Sequence, residues 1–100
     1  MGAFTKRLAA CVKRGGMAQG DLRWWFDRPY STTATWLLQG REPRGHSGDE
    51  SRRRLDLLEA LIAKREGFPV PQTLSNLDRP AYIKKLYNDN SAGVSRKRSA

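Results

Sequence analysis

Apolar residues recur along this chain at helical spacing, in blocks cut apart by Gly and Pro. Phe4, Leu8, Cys11 and Val12 form one stripe and predict a helix over about residues 3–14, with Lys6, Lys13 and Arg14 off the stripe. Gly15 and Gly16 then stop it. Leu22, Trp25 and Phe26 share a face at i, i+3, i+4, which predicts a second helix over about residues 18–26. Asp27, Arg28 and Pro29 break that helix, because a residue before proline is pushed out of the α region. A third helix begins at Pro29 or Tyr30 and ends near Gln39. Trp36 and Leu37 lie on its apolar side, with Thr33 and Ala34 one turn earlier, and Gly40 and Pro43 lie past its end. Trp25 and Trp36 thus fall on core faces, and Trp24 is the tryptophan expected to show an exposed ring.

Residues 40–48 read as a loop by composition. Ser47 has the character of an N-cap, with Glu50 completing a capping box, so a fourth helix is predicted from there to about Glu66 and closed by Gly67. Leu55, Leu58, Leu61, Ile62 and Arg65 follow its period, and Leu57 falls off it. Residues 68–77 read as an extended connector, since Pro69, Val70 and Pro71 favour polyproline geometry. A short last helix can start at Arg79 and Pro80, burying Tyr82, Ile83, Leu86 and Tyr87. Residues 91–100 read as a disordered basic tail. No segment carries a strand pattern. The expected fold class is all-α, a small bundle of four to five helices. The expected organisation is a domain over 1–67, a connector with a short helix over 68–90, and the tail.

Charge narrows the partners. The 100 residues hold 19 Lys+Arg against 10 Asp+Glu, a formal net charge of +9. Such a chain is drawn to a polyanion, whether nucleic acid, an anionic membrane surface or an acidic protein. Cys11 is the one cysteine and His46 the one histidine, so no intrachain disulfide or Cys/His zinc site is expected, and no metal or other cofactor. No run of about 18 apolar residues exists to span a membrane. The first residues carry neither a secretion signal's apolar core nor the myristoylation pattern, Lys6 standing where Ser or Thr is wanted. The expected compartment is the cytoplasm, a host's cytoplasm if the chain is phage-encoded. Asp21, Asp27, Glu42, Asp49 and Glu50 form no recognisable metal or nuclease motif, and no phosphate-cradling glycine loop is present, so neither catalysis nor a small-molecule substrate is expected.

Residues 19–36, Gln-Gly-Asp-Leu-Arg-Trp-Trp-Phe-Asp-Arg-Pro-Tyr-Ser-Thr-Thr-Ala-Thr-Trp, resemble the helix-turn-helix of phage repressors and small bacterial regulators. Gln19 and Trp36 stand at the family spacing, and Leu22 and Phe26 occupy its apolar positions. The following Leu-Leu-Gln-Gly-Arg-Glu-Pro is similar to the family's exit. The likeness covers residues 4–62. It departs at Arg23, where the family prefers Ala, at Asp27 for the turn Gly, at Arg28 for an apolar residue, and at Thr33 for Val or Ile. The resemblance implies a helix-turn-helix bundle that lays its second helix in the major groove of double-stranded DNA. Gln19 then sits where the family touches a phosphate or outer base. Tyr30, Ser31 and Thr35 are assigned with it to base contacts, because short polar groups reach base edges. Arg28, Thr32, Arg41 and Arg44 are assigned to phosphates. Tyr30 can alternatively cap the turn by packing, and Arg41 and Arg44 can alternatively be solvated loop residues.

Transcriptional regulation is the expected job, with recognition for a packaging terminase or an excision factor as alternatives on the same fold. A protein-interaction module is a third. Leu55, Leu58, Leu61 and Ile62 are assigned to a possible homodimer face, since such proteins read two half-sites about 34 Å apart.

Overall fold

The computed structural model describes residues 2–71 and 73–99, with the backbone alone at 47 and 92–99. Among them run five helices and no strand: α1 (Ala3–Gly15), α2 (Gln19–Phe26), α3 (Tyr30–Gln39), α4 (Gly45–Arg65) and α5 (Arg79–Ser99). The all-α expectation holds. The chain divides into two units, Met1–Pro69 and Val70–Ala100.

In the first unit, α1 lies against α3 and α4, and α2 against the same two helices. The apolar stripes supply the core: Phe4, Leu8, Cys11, Leu22, Trp25, Phe26 and Trp36 are buried. Phe4, Phe26 and Trp36 meet edge-to-face, with centroids 5.3–6.2 Å apart. Such pairs add about 0.5–1.5 kcal/mol each beyond the area they bury, and here they lock three helices at one point. The buried surroundings push the Cys11 thiol up to about 11, so it stays protonated at neutral pH.

Leu55, Leu58, Leu61 and Ile62 are also core, at 0%, 0%, 4% and 1% exposure. This corrects their assignment to a dimer face. A side chain already withdrawn from water inside its own chain has no apolar area left to bury against a second copy. On the α1–α4 side, Arg7 bonds Glu59 and Asp56, adding ion pairs at the rim of the same contact.

Both ends of α4 differ from expectation. The helix begins at Gly45 after Arg44, two residues before Ser47, and Glu50 bonds Arg54. The reason is a close approach. Gly48 sits so near Pro43 that a Cβ there would lie 2.9 Å from the proline carbonyl, and its N–H donates to Arg44 O at 3.0 Å. At the far end Glu66, not Gly67, takes the left-handed cap conformation, with φ 57°. That basin costs a residue with a side chain about 1–2 kcal/mol, of which glycine's freedom in the unfolded chain returns about 0.5–1 kcal/mol. Glu66→Gly is therefore expected to stabilise the unit by roughly 0.5–1 kcal/mol. A urea midpoint that rises would agree, and one that falls would show the glutamate side chain holds the cap.

In the second unit, Ser75 and Asp78 bond reciprocally: Ser75 Oγ donates to the Asp78 carboxylate at 3.0 Å and accepts the Asp78 N–H at 3.3 Å. This fixes the entry to α5, which starts where Arg79 and Pro80 predicted. Ile83 is buried and Leu86 and Tyr87 are half-buried, while Tyr82 is 39% exposed and so leaves the expected apolar face. The backbone of α5 continues to Ser99, through the segment assigned to a tail. The side chains of 92–99, and Ala100 altogether, lie outside the described residues.

Candidate nucleic-acid interface

The stretch 19–39 forms two helices joined by a three-residue turn. Asp21 opens α2: its carboxylate accepts the Ala18 N–H at 3.1 Å, close to the positive end of the helix. At the other end Asp27 stands in the left-handed region at φ 55°, the position the family gives to glycine, and the Arg28 N–H closes on Arg23 O at 3.1 Å. Aspartate is one of the few side chains that visits this region readily, so the turn forms without glycine. Pro29 is the N-cap of α3, and its carbonyl accepts the N–H of Thr32 and Thr33 at 3.0 and 3.2 Å. Arg23 stays exposed with its guanidinium 4.4 Å from the Trp24 ring centroid, so its bulk does not enter the α2–α3 contact. Trp24 is half-buried rather than openly exposed.

Trp36 and Thr33 turn inward from α3. The Thr33 hydroxyl donates to Tyr30 O at 3.1 Å and the residue is 1% exposed, so a polar group is carried in the core with its bond made locally. Ser31 lies on the open side, and Thr32 and Thr35 are half-exposed. Thr35 Oγ1 donates to Ser31 O at 2.7 Å, which commits its proton and leaves its lone pairs and methyl. Gln19 and Tyr30 are both exposed, and they bond each other: Tyr30 Oη donates to Gln19 Oε1 at 2.9 Å. Tyr30 therefore does not pack into the turn. It orients the Gln19 amide so that the NH₂ group remains to donate outward.

Arg28, Thr32, Arg41 and Arg44 line one concavity, together with Trp36, Gly40, Glu42 and Pro43. Ser31 and Thr35 line a shallower one beside it, which shares Thr32, Trp36, Arg41 and Glu42 with the first. Six of the eight residues assigned to DNA contacts thus border one continuous surface beside α3. Gln19 and Tyr30 form a separate pair at the starts of α2 and α3.

The loop carrying Arg41 and Arg44 is held from two sides. Glu42 Oε2 accepts the N–H of Phe4 and Thr5 at 2.9 and 3.3 Å, capping α1 from 38 residues away. Arg52 donates to Pro43 O at 3.0 Å from α4, and Thr5 Oγ1 donates to Trp36 O at 2.9 Å, which ties α1 to α3 beside the loop. By sequence Glu42 is a carboxylate in a loop, and nothing local marks a partner so distant. A capping acceptor contributes about 0.5–2 kcal/mol. Glu42→Ala is expected to cost that much in denaturant melting and to loosen the 40–44 loop. An unchanged midpoint would place the α1 cap elsewhere.

A second tie spans α2 and α4. The Trp25 indole donates to Arg54 O at 2.8 Å, and the Arg54 guanidinium donates back to Trp25 O at 2.8 Å. Arg54 also binds Glu50, whose carboxylate lies 3.7 Å from Arg28. The Arg54 hydrogen bonds hold the Glu50 carboxyl below the usual glutamate range. Its pairing is thus in force above the ordinary glutamate pKa and is lost as pH falls through the lowered value. At 51% exposure Glu50 is screened, so its pairs with Arg28 and Arg54 add little to the stability of the fold.

Among the described residues no three His, Cys, Asp or Glu side chains gather as metal ligands, and no helix is long and apolar enough to cross a membrane. Comparison of the chain with protein-family models, with curated proteins and with solved structures finds no match.

Proposed function

We propose that this chain is a sequence-specific binder of double-stranded DNA, that α2 and α3 act as a helix-turn-helix, and that it serves as a small transcriptional regulator rather than an enzyme. The observation that carries the reading is the shared surface of Arg28, Arg41 and Arg44 beside Ser31, Thr32 and Thr35. Guanidinium groups flanking a helix grip phosphates and set its register, while short hydroxyl side chains on the helix reach base edges. The net charge of +9 supports the same partner, because counterion release drives such binding from the first encounter. The anchoring of the 40–44 loop to α1 and α4 supports it further. Arginines on a fixed loop lose less freedom when they meet a phosphate.

In this reading Gln19, oriented by Tyr30, donates to a phosphate or an outer base, and Ser31 and Thr35 face the base pairs. Selection of bound fragments from random duplex DNA tests it. Enrichment of a defined sequence agrees, and Ser31→Ala with Thr35→Ala should then cost about 1–3 kcal/mol of discrimination at the contacted pair. A pool that stays random after repeated rounds would contradict sequence-specific binding. Ring-shaped oligomers in sedimentation would move the assignment from regulation to DNA packaging.

A further inference from the structure

Ser31, Thr35 and Leu38 fall at i, i+4 and i+7 and form one stripe along α3. Leu38 is 63% exposed, on a helix whose tryptophan is buried. Full burial of a leucine is worth about 1.5–3 kcal/mol, and this stabilisation is left unrealised at Leu38.

The composition of the helix limits what the stripe can read. Residues 30–39, Tyr-Ser-Thr-Thr-Ala-Thr-Trp-Leu-Leu-Gln, include no Arg, Lys, Asn, Asp or Glu. Those are the side chains that take guanine or adenine bidentately, or accept from cytosine. Gln39 is the one amide, at the last position. The Thr35 proton is committed to Ser31 O, so toward a ligand Thr35 offers an acceptor and a methyl group. Beyond Ser31 the stripe is therefore methyl and isobutyl surface apart from the Thr35 oxygen. In the major groove the thymine C5-methyl is the apolar group on a base edge.

We infer that Thr35 and Leu38 read thymine methyl groups, so that the base pairs under the C-terminal half of α3 are A·T. The inference rests on the DNA-binding reading above and adds the base it selects. Leu38 is then a specificity-determining residue, at a spacing from Ser31 and Thr35 that places all three on one face.

The test uses the duplex enriched from a random pool and a copy in which deoxyuridine replaces thymidine. The copy keeps every phosphate and every hydrogen-bonding edge and lacks only the methyl groups. Affinity is expected to fall about fourfold for each methyl read, the worth of one buried methyl, with the salt dependence unchanged. Leu38→Ala, at an open position, should melt like the parent protein and bind the two duplexes with a ratio smaller by about that factor. A copy bound as tightly as its parent overturns the inference, as does an enriched sequence without thymine at the contacted steps. So does a Leu38→Ala protein that keeps the full thymine-to-uracil ratio and changes sedimentation, since Leu38 would then face a second copy of the chain. Failure of the underlying reading looks different: no duplex of any sequence binds with salt-dependent affinity, and both fall together.

Discussion

Replacing Arg41 and Arg44 together by alanine is expected to lower affinity for any duplex about thirtyfold near physiological salt. Each phosphate contact adds about 0.9 to the slope of log affinity against log salt, which is roughly a fivefold effect per contact at 0.15 M. With Arg28, Arg41 and Arg44 engaged, the parent slope should be at least about 2.7 in magnitude, and the double variant should fall by about 1.8. Because both arginines border the same concavity and neither belongs to the core, the variant should melt like the parent. The loss should be equal across sequences, since phosphates carry no base identity. Equal slopes for the two proteins, measured by fluorescence anisotropy across a salt series, would remove these arginines from the interface.

Trp25→Ala is expected to unfold the first unit. Trp25 is fully buried, packs edge-to-face on Phe68 at 6.0 Å, and carries the reciprocal tie to Arg54. Truncating a buried tryptophan costs about 3–5 kcal/mol, and leaving its hydrogen-bond partner unsatisfied adds about 1–3 kcal/mol. A 69-residue unit has in total only about 3–10 kcal/mol of stability. Trp25→Phe keeps a ring and loses the indole N–H, so it should cost less than the alanine change and leave DNA binding intact at 25 °C. Circular dichroism melts of the two variants give the comparison. An alanine variant that melts within a few degrees of the parent would mean that α2 is held to α4 by something other than this residue.

The positions of α1, α2 and α3 were legible because their apolar stripes are strictly periodic and their ends carry Gly16, Asp27–Pro29 and Gly40. Local signals of that kind suffice when neighbouring turns bury one face. The stripe on α4 was equally legible, but a period reveals only that a face is apolar, not what covers it. Leu55, Leu58, Leu61 and Ile62 are covered within their own chain, so the dimer face inferred from them does not exist there. The early start of α4 depends on Gly48 meeting the Pro43 backbone, and the α1 cap depends on Glu42 reaching Phe4 and Thr5. The first depends on the path of the backbone over five residues, and the second is a tertiary contact with no local trace. Tyr30 is intermediate. Its exposure followed from the motif, whereas its bond to Gln19 required the two helix starts to be brought together.

The most direct test of the central claim is a titration of isotope-labelled protein with duplex DNA, followed through backbone amide resonances. The shared surface beside α3 predicts perturbations concentrated at Arg28, Ser31, Thr32, Thr35, Arg41 and Arg44, with Glu59 and Ala63 on the α1–α4 side unmoved. Shifts confined to the α1–α4 side, or no shifts at all with saturating duplex, would contradict it.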